Sequence, residues 1–302
     1  MLAATRAIVG DVTEARFGVA VSGGPDSMAL LDLAAGAFPG RTAAATVDHG
    51  LRPESASEAA MVGRWCGERS IPHTILHPAT AVTGNVQNWA RAQRYALLED
   101  WRASSGIDWI MTAHHADDQL ETMLMRLNRG AGVGGLAGVR ARSGQVIRPL
   151  LGMRKAALLD YGRTHNLPFV SDPSNDDPRF DRAALRSVLE PVAWLDRAAA
   201  GRSAAALGEA DAALQWTAEE LAARHVSADG DGWVLDRTDL PRELLRRLLL
   251  LMLVRGAPLL VPRGESIDRA LAMAGAGKKC SLGDWVLEGG VRWSLRPAPR
   301  RR

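Results

Sequence analysis

VAVSGGPDSMALLDL, Val19 to Leu33, decides the fold. An apolar run fit for a buried strand meets Ser-Gly-Gly-Pro-Asp-Ser, and an amphipathic helical run follows. A glycine-rich turn that opens a helix presents backbone N–H groups and the positive end of the helix dipole, which together make an anion site. Gly23 and Gly24 permit positive φ and close backbone approach, and Ser22 and Ser27 add hydroxyl donors. The loop is no Walker A loop, because it lacks GK[ST] and no lysine lies near it. Asp26 repels a bare phosphate unless a cation bridges them, so Asp26 with Mg²⁺ fits the loop better than Asp26 alone. A lone turn of this kind also serves as a strand-to-helix connection with Ser or Asp as its cap.

Strand and helix patterns alternate outward from that stretch. Strands are expected over 17–21, 42–47, 72–77 and 108–111. Helices are expected over 28–35, 54–70, 85–104, from 116 to about 128, and over 152–166. This alternation predicts an α/β class with a parallel sheet, right-handed crossovers and helices on both faces. Ligands in such sheets sit outside the carboxyl ends of the strands. Three chemistry-rich segments fall at such ends: 22–27, 48–52 and 112–121. Composition shifts near 190, which predicts a catalytic domain over 1–190 and a smaller, mainly helical one over 191–302.

The bulk numbers narrow the class. The 302 residues are 47% hydrophobic and 24% charged, the profile of a globular chain. The longest strongly apolar run, Leu248 to Val254, is too short to span a bilayer, and no signal peptide is visible. A cytoplasmic protein with no membrane partner is the expectation. Cys66 and Cys280 stand far apart and suit neither a disulfide framework nor a CxxC site. Net charge is +3, and lysine occurs only at 155, 278 and 279, so arginine carries nearly all the basic charge. A GC-rich genome and phosphate recognition both account for that.

Single residues carry two readings each. Asp48, at the end of the second strand, is placed to reach a ligand at the sheet's carboxyl edge, and equally to cap a turn. Arg91 and Arg94 share a helix face that suits phosphates or plain solvent. His114-His115-Ala-Asp-Asp-Gln-Leu-Glu121 is the densest titratable set. His114 and Asp118 have the spacing of zinc ligands, but Gln119 and the strand-end position argue against a closed zinc site. Asp118 and Glu121 share a helix face, where two carboxylates hold an amino-acid ammonium.

Ser22-Gly-Gly-Pro-Asp-Ser27 resembles the SGGxDS signature of the PP-loop ATP pyrophosphatases. Val47-Asp-His-Gly-Leu-Arg52, Ala90-Arg-Ala-Gln-Arg-Tyr95, Thr112 to Thr122, Arg129-Gly-Ala-Gly with Gly135-Leu-Ala-Gly138, Arg148-Pro-Leu-Leu151 and Asp172-Pro-Ser-Asn175 follow in the order of the tRNA(Ile)-lysidine synthetase family. That resemblance implies ATP on Ser22, Gly23, Gly24, Pro25, Asp26 and Ser27, with Mg²⁺ as a second cofactor. It implies free lysine on Asp118, Glu121 and Arg186, and phosphate or tRNA contacts at Arg52, Arg91 and Arg94. The implied catalytic set is Asp26, Asp48, His114 and Asp118. The implied partner is an isoleucine tRNA with a CAU anticodon, whose wobble cytidine is adenylated at C2 and then attacked by lysine. The oligomeric state stays open, a homodimer included. Two features depart from the pattern: Ala183 and Ala184 stand where Asn and Arg are common, and the C-terminal region is short. A tRNA thiolation enzyme and a nucleotide-binding regulator are the rival readings. The first lacks suitable cysteines, and the second has no use for the Asp118–Glu121 pair. The glycine-rich 129–138 segment is expected to be a lid, an RNA-facing loop or a plain connection. Arg242, Arg246 and Arg247, with Trp233 and Trp285, are expected either to grip RNA or, for the tryptophans, to fill a core.

Overall fold

A computed structural model describes residues 1–80, 82–170, 181–189, 191–192, 194–256, 260, 262 and 264–299. The turn-rich stretch 171–178, with its Asp172 to Asn175 motif, Phe180 and the last three arginines lie outside the described residues. The chain divides into two compact units, Met1–Gly208 and Glu209–Arg302. The division falls inside a long helix and beyond the composition shift near 190.

The first unit contains α1 (Leu2–Val9), β1 (Phe17–Ala20), α2 (Pro25–Ala37), β2 (Thr42–Val47), α3 (Ser55–Glu68), β3 (His73–Leu76), α4 (Val86–Ser104), β4 (Trp109–Met111), α5 (Ala116–Leu127), α6 (Val133–Leu136), β5 (Arg142–Ser143), β6 (Val146–Ile147), α7 (Lys155–Thr164), α8 (Asp181–Leu189) and the start of α9 (Arg197–His225). Its six-stranded sheet has the order β3-β2-β1-β4-β6-β5. All neighbours pair in parallel except β5 with β6. Phe17 on β1 faces Thr42 on one side and Trp109 on the other. The chain therefore winds outward from β1 to β3 and returns to β4 on β1's free edge. The β1–β4 crevice is the switch point where such sheets bind ligands.

Apolar strand residues build a core on each face. Phe17, Val19, Leu30, Leu31, Val62, Trp65, Leu150 and Leu158 pack on one, bringing in α2, α3 and α7. Ala45, Leu98, Trp101 and Ile110 pack on the other, under α4. Helix starts obey local chemistry: Pro25 occupies the first turn of α2, where its missing N–H costs nothing. The Asn85 side chain accepts from Asn88 N–H at 3.0 Å and caps α4.

The second unit contains the rest of α9, then β7 (Val226–Asp229), β8 (Gly232–Leu235), α10 (Arg242–Gly256), α11 (Gly264–Gly275), β9 (Lys279–Leu282), β10 (Trp285–Glu288) and β11 (Trp293–Pro297). Its helices accompany a five-stranded antiparallel sheet, β7-β8-β11-β10-β9, which the helical expectation did not include. Leu248, Met252, Ile267, Leu271, Leu287, Trp293 and Leu295 form its core. Trp233 and Trp285 pack against that core, so the packing reading of both tryptophans is the one realised. Among the described residues, no helix is long and apolar enough to cross a membrane.

Candidate active site

The site is assembled at the carboxyl ends of β1, β2 and β4. After β1, Gly23 turns the chain at φ +82°, a conformation that glycine adopts without strain. Gly24 is the N-cap of α2. The loop is tied internally: Ser22 N–H donates to Ser27 Oγ at 3.1 Å, and the Ser27 hydroxyl donates to Gly24 C=O at 2.9 Å. Val170 N–H donates to Gly23 C=O at 3.0 Å, which holds the turn from outside. Ser22 itself is exposed at the mouth. Asp26 Oδ1 is buried with no hydrogen-bond partner, although such burial costs free energy unless a partner compensates. A carboxylate oxygen left bare beside the N-terminus of α2 fits a cation as its partner. Among the described residues, no group of three or more His, Cys, Asp or Glu side chains is placed to hold a metal ion.

At the end of β2, Asp48 Oδ1 accepts from Gly50 N–H at 2.8 Å and from the Ser55 hydroxyl at 2.7 Å. Those two bonds hold its carboxyl below the ordinary range. The turn-cap reading of Asp48 thus describes this oxygen. Beside it, both ring nitrogens of His49 are buried without partners, 5.8 Å from the Trp89 ring between centroids. Burial lowers the His49 pKa and the Arg94 charge lowers it further, against Asp48. Arg52 donates to both carboxylate oxygens of Glu58, at 3.3 and 3.0 Å. Arg91 and Arg94 are exposed on α4, and the Arg91 guanidinium lies 5.2 Å from the Tyr95 ring centroid.

After β4, the Thr112 hydroxyl meets His114 Nδ1 at 3.0 Å. Burial pushes the His114 imidazole down to about 4; Asp118 opposes this, while Arg148, Arg91 and Arg182 reinforce it. The ring is neutral at physiological pH, although so low a pKa makes it a weak base. His115 is the N-cap of α5 and completes a capping box. Its Nδ1 accepts from Asp118 N–H at 3.3 Å, and Asp118 Oδ2 accepts from His115 N–H at 3.0 Å. The other ring nitrogen, Nε2, lies 3.6 Å from Asp26 Oδ2 and 3.5 Å from Asp118 Oδ2. Burial lowers the His115 pKa, but the carboxylates of Asp26, Asp118 and Asp117 more than offset it and leave a net rise. The cap opposes that rise, because an imidazolium has no lone pair to offer Asp118 N–H.

Glu121 is 3% exposed, and Arg186 of α8 neutralises it. Arg186 Nε donates to Oε1 at 2.5 Å and an Nη to Oε2 at 3.1 Å, a bidentate pair, and the same nitrogen lies 3.6 Å from Asp118 Oδ1. The three residues assigned to one amino acid do meet. Here, however, the guanidinium itself sits on the carboxylates, and an incoming ammonium has to take its place. Asp117 is occupied elsewhere: it accepts from Lys155 N–H at 2.8 Å and pairs with Arg197 at 2.9 Å.

The glycine-rich 129–138 segment contains the short α6, and its end is tied down. Gln119 spans Val139 with its two amide atoms at 2.7 and 2.6 Å, and Arg126 donates to the carbonyls of Gly135 and Gly138. That is a braced connection rather than a free lid. Reading the sequence missed His115, Arg148 and His49. Arg148 is 6% exposed with its Nε unpartnered. The available signal for His115 was its place three residues before Asp118, the spacing of a capping box.

Comparison with known proteins gives the family. A PP-loop domain model matches residues 2–193. A tRNA(Ile)-lysidine synthase of Zymomonas mobilis is 40% identical over 99% of this chain and 93% of its own length. A protein of the same name from Novosphingobium aromaticivorans is 44% identical over 94% of this chain and 89% of its own. Among solved structures, the U34-tRNA thiolase NcsA from Methanococcus maripaludis, with its [4Fe-4S] cluster, is similar at a TM-score of 0.57. At 18% identity over 68% of this chain and 78% of that one, it shows a shared fold alone.

Proposed function

The chain belongs to the tRNA(Ile)-lysidine synthase family of PP-loop proteins, and we propose that it is a carbon–nitrogen ligase that joins lysine to C2 of the wobble cytidine of an isoleucine tRNA with a CAU anticodon. The observation that carries this reading is the meeting of two half-sites at one mouth. The Ser22 to Ser27 loop approaches from β1, the Asp118–Glu121 pair from β4, and His115 stands between them.

ATP would lie with its pyrophosphate in the glycine loop, and Asp26, with its bare Oδ1, is the residue that would hold Mg²⁺, which would supply charge neutralisation for the departing pyrophosphate. The cytidine O2 displaces pyrophosphate at the α-phosphorus, and the adenylated base then carries a good leaving group at C2. Lysine enters by cation exchange: its α-ammonium replaces the Arg186 guanidinium on Asp118 and Glu121, and Arg186 turns to its α-carboxylate. The ε-amine loses its proton, attacks C2, and AMP departs. A carboxylate of the site or neutral His114 is the candidate base for that proton. Asp48 orders the β2 turn beside the nucleotide. Arg52, Arg91 and Arg94 line the approach for RNA phosphates, and the target base is splayed out of the anticodon loop to enter. ATP, lysine and tRNA meet in the cytoplasm, where we place the enzyme.

Sulfur transfer is less well served. Cys66 is buried in α3, where burial pushes its thiol up to about 11, and Cys280 is buried in the second unit.

The test is incorporation of labelled lysine into unfractionated tRNA with ATP and Mg²⁺. Label in one isoleucine tRNA, lost in Asp118→Asn, is expected. Release of AMP and pyrophosphate that depends on tRNA, without lysine label, would overturn lysine as the nucleophile.

A further inference from the structure

We propose that His115 is a positioning residue that joins the nucleotide loop to the amino-acid carboxylates, a role separate from its cap on α5. The inference rests on the reading of the two half-sites given above. Four observations carry it. The ring is 3% exposed, so water does not serve its nitrogens. Its Nδ1 takes the Asp118 backbone N–H, which places the proton of the neutral ring on Nε2. Nε2 then lies 3.6 Å from Asp26 Oδ2 and 3.5 Å from Asp118 Oδ2. Asp26 Oδ1, the other oxygen of that carboxylate, is buried and bare.

Helix chemistry thus selects a tautomer, and the tautomer orients a carboxylate. The cap fixes the ring because N-cap geometry is set by the backbone of α5. The ring faces one oxygen of Asp26, and the other is buried and bare. Asp118 is held by the same residue twice, through its backbone N–H and its side chain. An Nε2 distance beyond 3.5 Å is a loose contact that shortens once charge arrives, as apo-site contacts commonly do. Residues that orient a ligating group in this way commonly change affinity or activity by about 10–100-fold when removed.

Two substitutions separate the roles. His115→Asn keeps a strong cap, because Asn Oδ1 takes the place of Nδ1, but it is too short to reach Asp26. His115→Gln places an N–H near the position of Nε2 and weakens the cap. The binding readout is calorimetric titration with α,β-methylene-ATP in the presence and absence of Mg²⁺, and the activity readout is lysine incorporation into tRNA. The expected result for His115→Asn is a melting temperature near wild type, Mg²⁺-dependent analogue binding weakened about tenfold or more, and kcat lowered about 10–100-fold. His115→Gln should melt about 2–4 °C lower yet recover most of the binding. If His115→Asn binds the analogue as wild type does, the residue is only a cap and the proposal fails. If the two variants lose binding equally, an N–H at the Nε2 position is not what binding needs and the proposal fails as well. If wild type incorporates no lysine while the binding difference between variants persists, the functional reading fails and the role of His115 stands.

Discussion

At the mouth of the first sheet, Glu121 is 3% exposed and meets a guanidinium bidentately, and Asp26 Oδ1, both His49 nitrogens and Arg148 Nε are buried without partners. In the second unit most charges sit outside, and the largely buried Arg247 is paired with Asp211 and Glu243. Arg242 pairs with Asp268 and Arg296 with Asp229, all four well exposed, around an apolar core that includes Leu248, Met252, Ile267 and Trp293. Arg246 Nε is that unit's one orphan among the described buried side-chain atoms. Burying an unpaired polar group costs free energy that packing has to offset, so a fold tolerates it where a ligand supplies the missing partner. Exposed ion pairs contribute little and need no such explanation. The contrast locates chemistry in the first unit without reference to any relative.

The strongest way to break the contrast is Asp26→Asn. If the bare oxygen exists for a ligand, lysine incorporation falls about 100–1000-fold while the melting temperature hardly moves, by tRNA labelling and thermal denaturation. A large loss of stability instead would make Asp26 structural. Next is Gly138→Ala, which probes the brace beneath the carboxylate helix. Gly138 sits at φ +64°, and a Cβ there would collide with Gln119 Oε1. The expected cost is about 2 kcal/mol in urea unfolding, from backbone strain and the broken Gln119–Val139 bonds.

Acid stability sharpens the comparison further. His114 titrates near 4 in the folded protein, against 6.5 as its ordinary value. Between those values the unfolded chain binds a proton that the native state refuses, so stability is intact above pH 6.5 and declines as pH falls toward 4. The slope from this residue is at most about 1.4 kcal/mol per pH unit. His49 and His73 act in the same direction. Urea melts of His114→Gln at pH 7, 6 and 5 should show a shallower decline than wild type. The smallest effect belongs to the second unit: Arg242→Ala should change unfolding free energy by no more than about 0.5 kcal/mol.

How much was legible varied with the physics of each segment. The strands at 17–20 and 42–47 stood out because central parallel strands are apolar on both faces and end at glycine or aspartate. The start of α4 was legible because Asn85 is a strong cap. The β5–β6 hairpin was not, since two-residue strands carry no periodicity. The second sheet was missed for a related reason: Val226–Asp229 is mostly exposed and reads as the approach to a turn. In the site, SGGPDS and the Asp118–Glu121 spacing were legible as chemistry. The pairing of Arg186 with Glu121 was not, because it joins residues 65 positions apart. His115 hid beside His114, since histidine is an uncommon cap and its role depends on where β1 places Asp26.

The measurement that tests the central claim most directly separates the two half-sites with Glu121→Gln. Lysine concentration is varied in the tRNA labelling assay while tRNA-dependent pyrophosphate release is followed in parallel. The account predicts that KM for lysine rises about 100-fold or more while pyrophosphate release persists, because Glu121 serves the amino acid and not ATP. An unchanged KM for lysine, or equal loss of both activities in a protein that still folds, would contradict the division of the mouth into two half-sites.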